Sequence, residues 1–265
     1  MTLQSKQYQV NIQTNPTIPP PYAHTCRIVV DENPAYLVLS YKLRYTERDE
    51  LTEDEILDEG FSMDDDFSWS GKLNKVWKEQ FESILKSTRL NTQLSSSSDY
   101  AIEIRTKEGD SEEKGYVSKR ETQRWVYFIQ EIKQAIFESE KIEVPLAIEY
   151  RRIENKRETK VLLNGVFLDR SFTIRVDDRP VEQLDWSILQ HTIDLIFNET
   201  EIDYEEQLNG RPVQDGHYLQ LPGLGWFQLE VGITARYDDI SILENIVKTM
   251  EAFIKGEGGR LLNGK

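Results

Sequence analysis

Four stretches of this chain carry apolar residues at three- and four-residue spacing, and that pattern constrains the fold more than any other feature. The first runs through Leu73, Trp77, Phe81, Ile84 and Leu85, and the second through Trp125, Phe128, Ile129, Ile132 and Ile136. The third holds Trp186, Leu189, Ile193, Ile196 and Phe197, and the fourth Ile240, Leu243, Ile246, Val247, Met250 and Phe253. An amphipathic helix must lay its apolar stripe on something. The intervals supply that surface, because they read as strands.

The clearest strand spans residues 35–45. Leu39, Tyr41, Leu43 and Tyr45 alternate there with Ser40, Lys42 and Arg44, so one face is buried and the other wet. Residues 8–12, 27–30, 100–105, 145–153, 159–163, 172–176, 218–221 and 226–231 extend the strand pattern. Turn signals lie between them: Asn155-Lys156, Asn164-Gly165 and Pro222-Gly223 each predict a hairpin. A capping box at Thr52 and Glu55 predicts a short helix over 53–59, stopped by Gly60. Asp185 and Asp239 stand where helix N-caps belong.

These elements give an α+β class: an antiparallel or mixed sheet built from hairpins, with about four amphipathic helices packed on it. The division expected is an N-terminal sheet-plus-helix unit over 1–95, with an acidic loop, and a C-terminal sheet-plus-helix region over 96–265. The two would be continuous or separate. Residues 91–99, with four consecutive serines, and 108–115, rich in acid and glycine, read as linkers. The prolines between 16 and 21 read as a stiff connector. The tail from 256 holds four glycines and reads as frayed. Asp66-Phe67-Ser68-Trp69 resembles Asp185-Trp186-Ser187 over a few residues, which raises a diverged duplication without a fixed period.

Composition narrows the function classes. The net charge of −15 over 265 residues disfavours nucleic-acid backbones and anionic membranes, both of which are gripped by Lys and Arg. The single cysteine, Cys26, excludes an internal disulfide framework and reads as a structural thiol beside a strand. The first ten residues are polar, without the apolar core of a signal peptide, so a soluble cytoplasmic protein is expected.

No phosphate loop, dinucleotide fingerprint, nucleophile elbow, zinc spacing or calcium loop is present, and nothing calls for a cofactor. Three weaker candidates remain. Asp64, Asp65 and Asp66 form the densest acid run, a divalent-metal candidate if the backbone curls its carboxylates onto one point. His217, with Asp215 at a hairpin mouth, is the best placed titrating group. Arg151 and Arg152, with Lys156, Arg157 and Lys160, form a basic hairpin in an acidic chain. The class this favours is a non-enzymatic interaction or accessory protein, with an unidentified protein partner or self-association. The alternative is a ligand- or metal-dependent enzyme using residues 64–66 or the His217 hairpin.

Overall fold

The structure, a computed structural model, describes residues 6–94, 99–239 and 241–261. The serine run at 95–98, Ile240 and the last four residues, which carry part of the expected linker, fourth helix and tail, lie outside the described residues. The chain divides into two compact units, Met1–Glu140 and Lys141–Lys265.

Unit 1 contains β1 (Lys6–Thr14), β2 (His24–Asp31), β3 (Leu37–Tyr45), α1 (Glu53–Asp58), β4 (Phe67–Leu73), α2 (Lys75–Ser87), β5 (Leu90–Asn91), β6 (Tyr100–Glu108), β7 (Ser111–Val117) and α3 (Lys119–Ser139). Its strands form one antiparallel sheet in the order β4-β3-β2-β1-β6-β7-β5. Unit 2 contains β8 (Leu146–Glu154), β9 (Arg157–Val166), β10 (Ser171–Val176), β11 (Glu182–Leu184), α4 (Trp186–Ile193), β12 (Thr200–Ile202), β13 (Gly216–Gln220), β14 (Trp226–Gln228), β15 (Ile233–Ala235) and α5 (Ser241–Lys255). Its main sheet runs β11-β10-β9-β8-β13-β14, and β12 pairs with β15 apart from it.

The two units repeat one topology. In each, a four-strand meander leads into a helix, a hairpin then adds beside the first strand of the meander, and a second helix follows. Even the outermost position recurs: β5 pairs with β7, and Leu208 bridges Trp226 on β14. The short helix α1, capped by Thr52 and Glu55 as the capping box predicts, sits in the β3–β4 connection and has no counterpart between β10 and β11. The tryptophan resemblance in the sequence is out of register with this repeat. Trp69 lies within β4, whereas Trp186 opens α4. The residue that matches the N-cap Asp185 is the N-cap Asn74, whose side chain accepts from Val76 as Asp185 accepts from Ser187.

The division at 140/141 differs from the expected break at 95/96 for a simple reason. Strand β6 pairs along the whole of β1, from Lys6 opposite Glu108 to Thr14 opposite Tyr100, so a cut at 95 would split the first sheet. Residues 108–115 are not a linker either, because they form the turn and most of the second strand of the β6–β7 hairpin.

Each core lies between a sheet and its helices. In unit 1, Trp77 and Phe81 of α2 and Trp125, Phe128 and Ile132 of α3 are buried with Ile12, Ile28, Leu39 and Ile104 of the sheet. Trp77 and Trp125 each pack against Phe128, at centroid separations of 6.1 and 5.9 Å. Trp125 also donates from Nε1 to Thr88 Oγ1 at 2.9 Å, so its one polar atom is satisfied in the core. In unit 2, Tyr150, Phe172, Leu189, Phe227, Met250 and Phe253 are buried. Truncating one such aromatic would cost about 3–5 kcal/mol. The third stripe runs further than α4, because the chain continues through a π-helical turn, Asp194–Asn198, that keeps Leu195 and Ile196 buried. Among the described residues no helix is long and apolar enough to cross a membrane.

Candidate functional site

The helices of unit 1 cover one face of its sheet, and the strand register fixes what stands on the other. Opposite Asn11 on β1 lie Arg27 on β2 and, beyond it, Lys42 on β3 and Ser68 on β4. On the other side Asn11 faces Glu103 on β6 and then Tyr116 on β7. Arg44, two residues along β3 from Lys42, stands opposite Thr25. Cross-strand and next-but-one neighbours on one face are about 5–7 Å apart, so Arg27, Lys42 and Arg44 form a compact triangle of cations.

This face inverts the charge of the chain. The strand residues directed to it include seven Lys or Arg and three acids, Asp31, Glu103 and Glu112. Glu103 is already engaged: Arg105 lies 2.5 Å from it and Asn11 donates to it at 3.1 Å. The Arg105 hydrogen bond, foremost, holds the Glu103 carboxyl below its usual range against the opposing effect of partial burial. Among the described residues none of Arg27, Lys42 and Arg44 makes an ion pair, and Arg27 is held by Gln9 Oε1 at 2.7 Å. Two depressions meet here, of 580 and 440 Å³, and both are lined by Arg27 and Lys42.

Unit 2 provides an internal contrast. On the corresponding face Arg151 meets Glu149 at 2.5 Å and also pairs with Glu158, while its guanidinium stacks over Trp226 at 4.8 Å. Lys160 pairs with Glu149 at 2.9 Å and Arg211 with Glu158 at 2.7 Å. Partial burial pushes Glu158 up, but Arg211 and Arg151 outweigh it and hold the carboxyl below its usual range. There the cations are neutralised in place.

The structure separates the sequence candidates. The three aspartates diverge. Asp65 accepts from Ser62 and pairs with Arg48 at 2.8 Å, Asp66 accepts from the Tyr45 backbone at 2.9 Å, and the Asp64 backbone donates to Ser62 Oγ at 3.4 Å. Arg48 is the hub of this loop, stacked 3.9 Å over Tyr45 and 4.9 Å over Phe61. Among the described residues no group of three acids, histidines or cysteines is placed to hold a metal ion. Asp215 accepts from the Asn155 backbone at 3.0 Å, closing the β8–β9 turn. His217 Nδ1 lies 2.6 Å from the Tyr150 hydroxyl, on the helix-covered face. Burial pushes that phenol well above its ordinary value. Arg152 stands opposite His217 and reaches Glu251 of α5 at 2.5 Å, on the face away from Arg151. Arg151 and Lys160 on one face and Arg152 on the other therefore belong to two separate ion-pair networks rather than to one finger.

Arg27, Lys42 and Arg44 were not among the sequence candidates. The alternation of β3 already assigns Lys42 and Arg44 to the wet face, but only the β2–β3 register sets Arg27 beside them.

No family model matches the chain, and no curated protein and no solved structure matches it significantly.

Proposed function

We propose that this chain is a non-catalytic interaction protein that holds an acidic protein partner on the open face of its first sheet. The observation that carries this reading is the Arg27–Lys42–Arg44 triangle, three cations without ion pairs among the described residues of a chain with net charge −15. Like charges this close repel one another, and an incoming carboxylate-rich surface relieves that repulsion. Depressions of 580 and 440 Å³ over the same residues give a partner's side chains somewhere to settle. A protein fits better than a nucleic acid. Tyr116 is the one aromatic among the strand residues on this face, too few for a base-stacking platform, and the chain as a whole repels a phosphate backbone. The catalytic alternative rests on groups that already serve neighbours: His217 with Tyr150, Asp215 with Asn155, Asp65 with Arg48.

The test is fluorescence anisotropy of a labelled Glu/Asp-rich peptide at low salt, with Arg27→Glu/Lys42→Glu/Arg44→Glu as the control. Binding that falls at least about tenfold in the triple variant supports the reading. Equal binding, or none, removes it. A second copy of this acidic chain is the competing occupant, and sedimentation identifies it as a concentration-dependent mass that the triple variant loses.

A further inference from the structure

On the helix-covered side of the same sheet, a cavity of 180 Å³ opens between the sheet end and α3. Its floor is formed by Cys26 and by aliphatic side chains such as Ile129. Three rings, from β2, β3 and β6, line it: His24, with Tyr45 at 5.8 Å and Tyr100 at 6.0 Å between centroids. His24 is fixed in place because its Nδ1 donates to the Tyr22 carbonyl at 2.8 Å, a carbonyl being able only to accept. Burial raises the phenols of Tyr45 and Tyr100, so both hydroxyls stay protonated and able to donate. Lys133 of α3 completes the lining. Among the described residues no acid lines the cavity itself, although Asp65 and Asp66 act on Tyr45 and Asp99 on Tyr100 from outside it, and Lys133 makes no ion pair, its ammonium lying 5.1 Å over the Phe137 ring.

Size and chemistry together select a ligand. An apolar protein cavity of about 150 Å³ accepts benzene. A space of 180 Å³ therefore holds one six-membered ring with one small substituent. Rings in the lining favour an aromatic guest in edge or offset contact. A half-buried ammonium without a counter-ion favours a carboxylate on that guest. We propose that this cavity is a binding site for a single-ring aromatic carboxylate, with the ring lodged among Tyr45, His24 and Tyr100 and the carboxylate on Lys133 Nζ. The proposal rests on His24, Tyr45, Tyr100 and Lys133, none of which lines the 580 Å³ depression of the partner face, although Ile12 and Cys26 line both.

Benzoate and its uncharged analogue benzamide are the probes, titrated against the full chain by calorimetry. His24 lines the cavity, so the shift of its ring resonances in a two-dimensional NMR spectrum reports occupancy. Benzoate is expected to bind about tenfold more tightly than benzamide, the difference a charge-assisted hydrogen bond makes. Saturating benzoate is expected to shift the His24 ring resonances. Lys133→Met should bring the two ligands to equal affinity, and Lys133→Arg should restore the preference. The proposal falls if benzoate does not bind, if bound benzoate leaves the His24 ring resonances unchanged, or if Lys133→Met retains the preference for benzoate. A circular dichroism spectrum matching the parent's excludes misfolding of either variant.

Discussion

Leu189 of α4 packs its terminal methyl directly onto the backbone of Gly165, so closely that a Cβ at position 165 would stand 2.5 Å from it. Gly165 lies inside β9, opposite Phe172 on one side and Leu146 on the other. Gly165→Ala is therefore expected to destabilise unit 2 by about 1–3 kcal/mol through overpacking. Urea denaturation followed by tryptophan fluorescence measures it. Adding Leu189→Ala should return little, because it empties a site that is fully buried.

Arg151→Met removes the guanidinium that Glu149 and Glu158 share. Arg151 is 6% exposed, so the two carboxylates are left facing each other with reduced compensation. A loss of about 3 kcal/mol is expected. Adding Glu149→Gln to the variant should recover part of it, which a double-mutant cycle of denaturation midpoints would read.

Asp65 gives a pH dependence with a defined sign. Partial burial works to raise its carboxyl, but hydrogen bonds from Ser62 and the charge of Arg48 overcome that and lower it from the ordinary 3.8. A carboxylate lowered in the folded state adds stability above its unfolded pKa, and that stability is lost as pH falls through the folded value. Melting temperature should thus drop more steeply below pH 3.8 in the parent than in Asp65→Asn, and the gap between them should be constant at neutral pH.

The N-cap of α4 predicts a smaller effect. Asp185 accepts from the Ser187 backbone at 2.9 Å. Asp185→Ala should cost about 1 kcal/mol and Asp185→Asn much less, by the same denaturation assay.

For the partner face, affinity for an acidic peptide should fall steeply with added salt. Exposed charges are screened over about 10 Å at 0.1 M. The triple charge reversal should flatten that dependence. Anisotropy titrations at several salt concentrations check both, and a salt-independent affinity would show that the contact is not electrostatic.

Which of these features the sequence discloses follows from how local their causes are. Alternation in β3 and the stripes of α2, α3 and α5 depend on neighbours within a few residues, and they read directly. The turn at Asn155-Lys156 reads for the same reason, both residues taking positive φ. Asn164-Gly165 carries an equally strong turn signal but runs straight through β9, because its glycine answers to Leu189, 24 positions away. The turn falls later, at Arg170 with φ of 52°. The repeat was hidden because the topology is shared while the tryptophans that look alike occupy different elements. The cation triangle was hidden because it is a property of register, and neither β2 nor β3 alone contains it.

The division at 140/141 has a consequence for how the protein is made. Every strand of the first sheet, and both helices that cover its core, are encoded before residue 141. On the ribosome the N-terminal half can close its hydrophobic core while the second half is still being translated, which shortens the time that the two similar sheets are both unpaired. Sequential synthesis thereby works against strands of one repeat pairing with their look-alikes in the other.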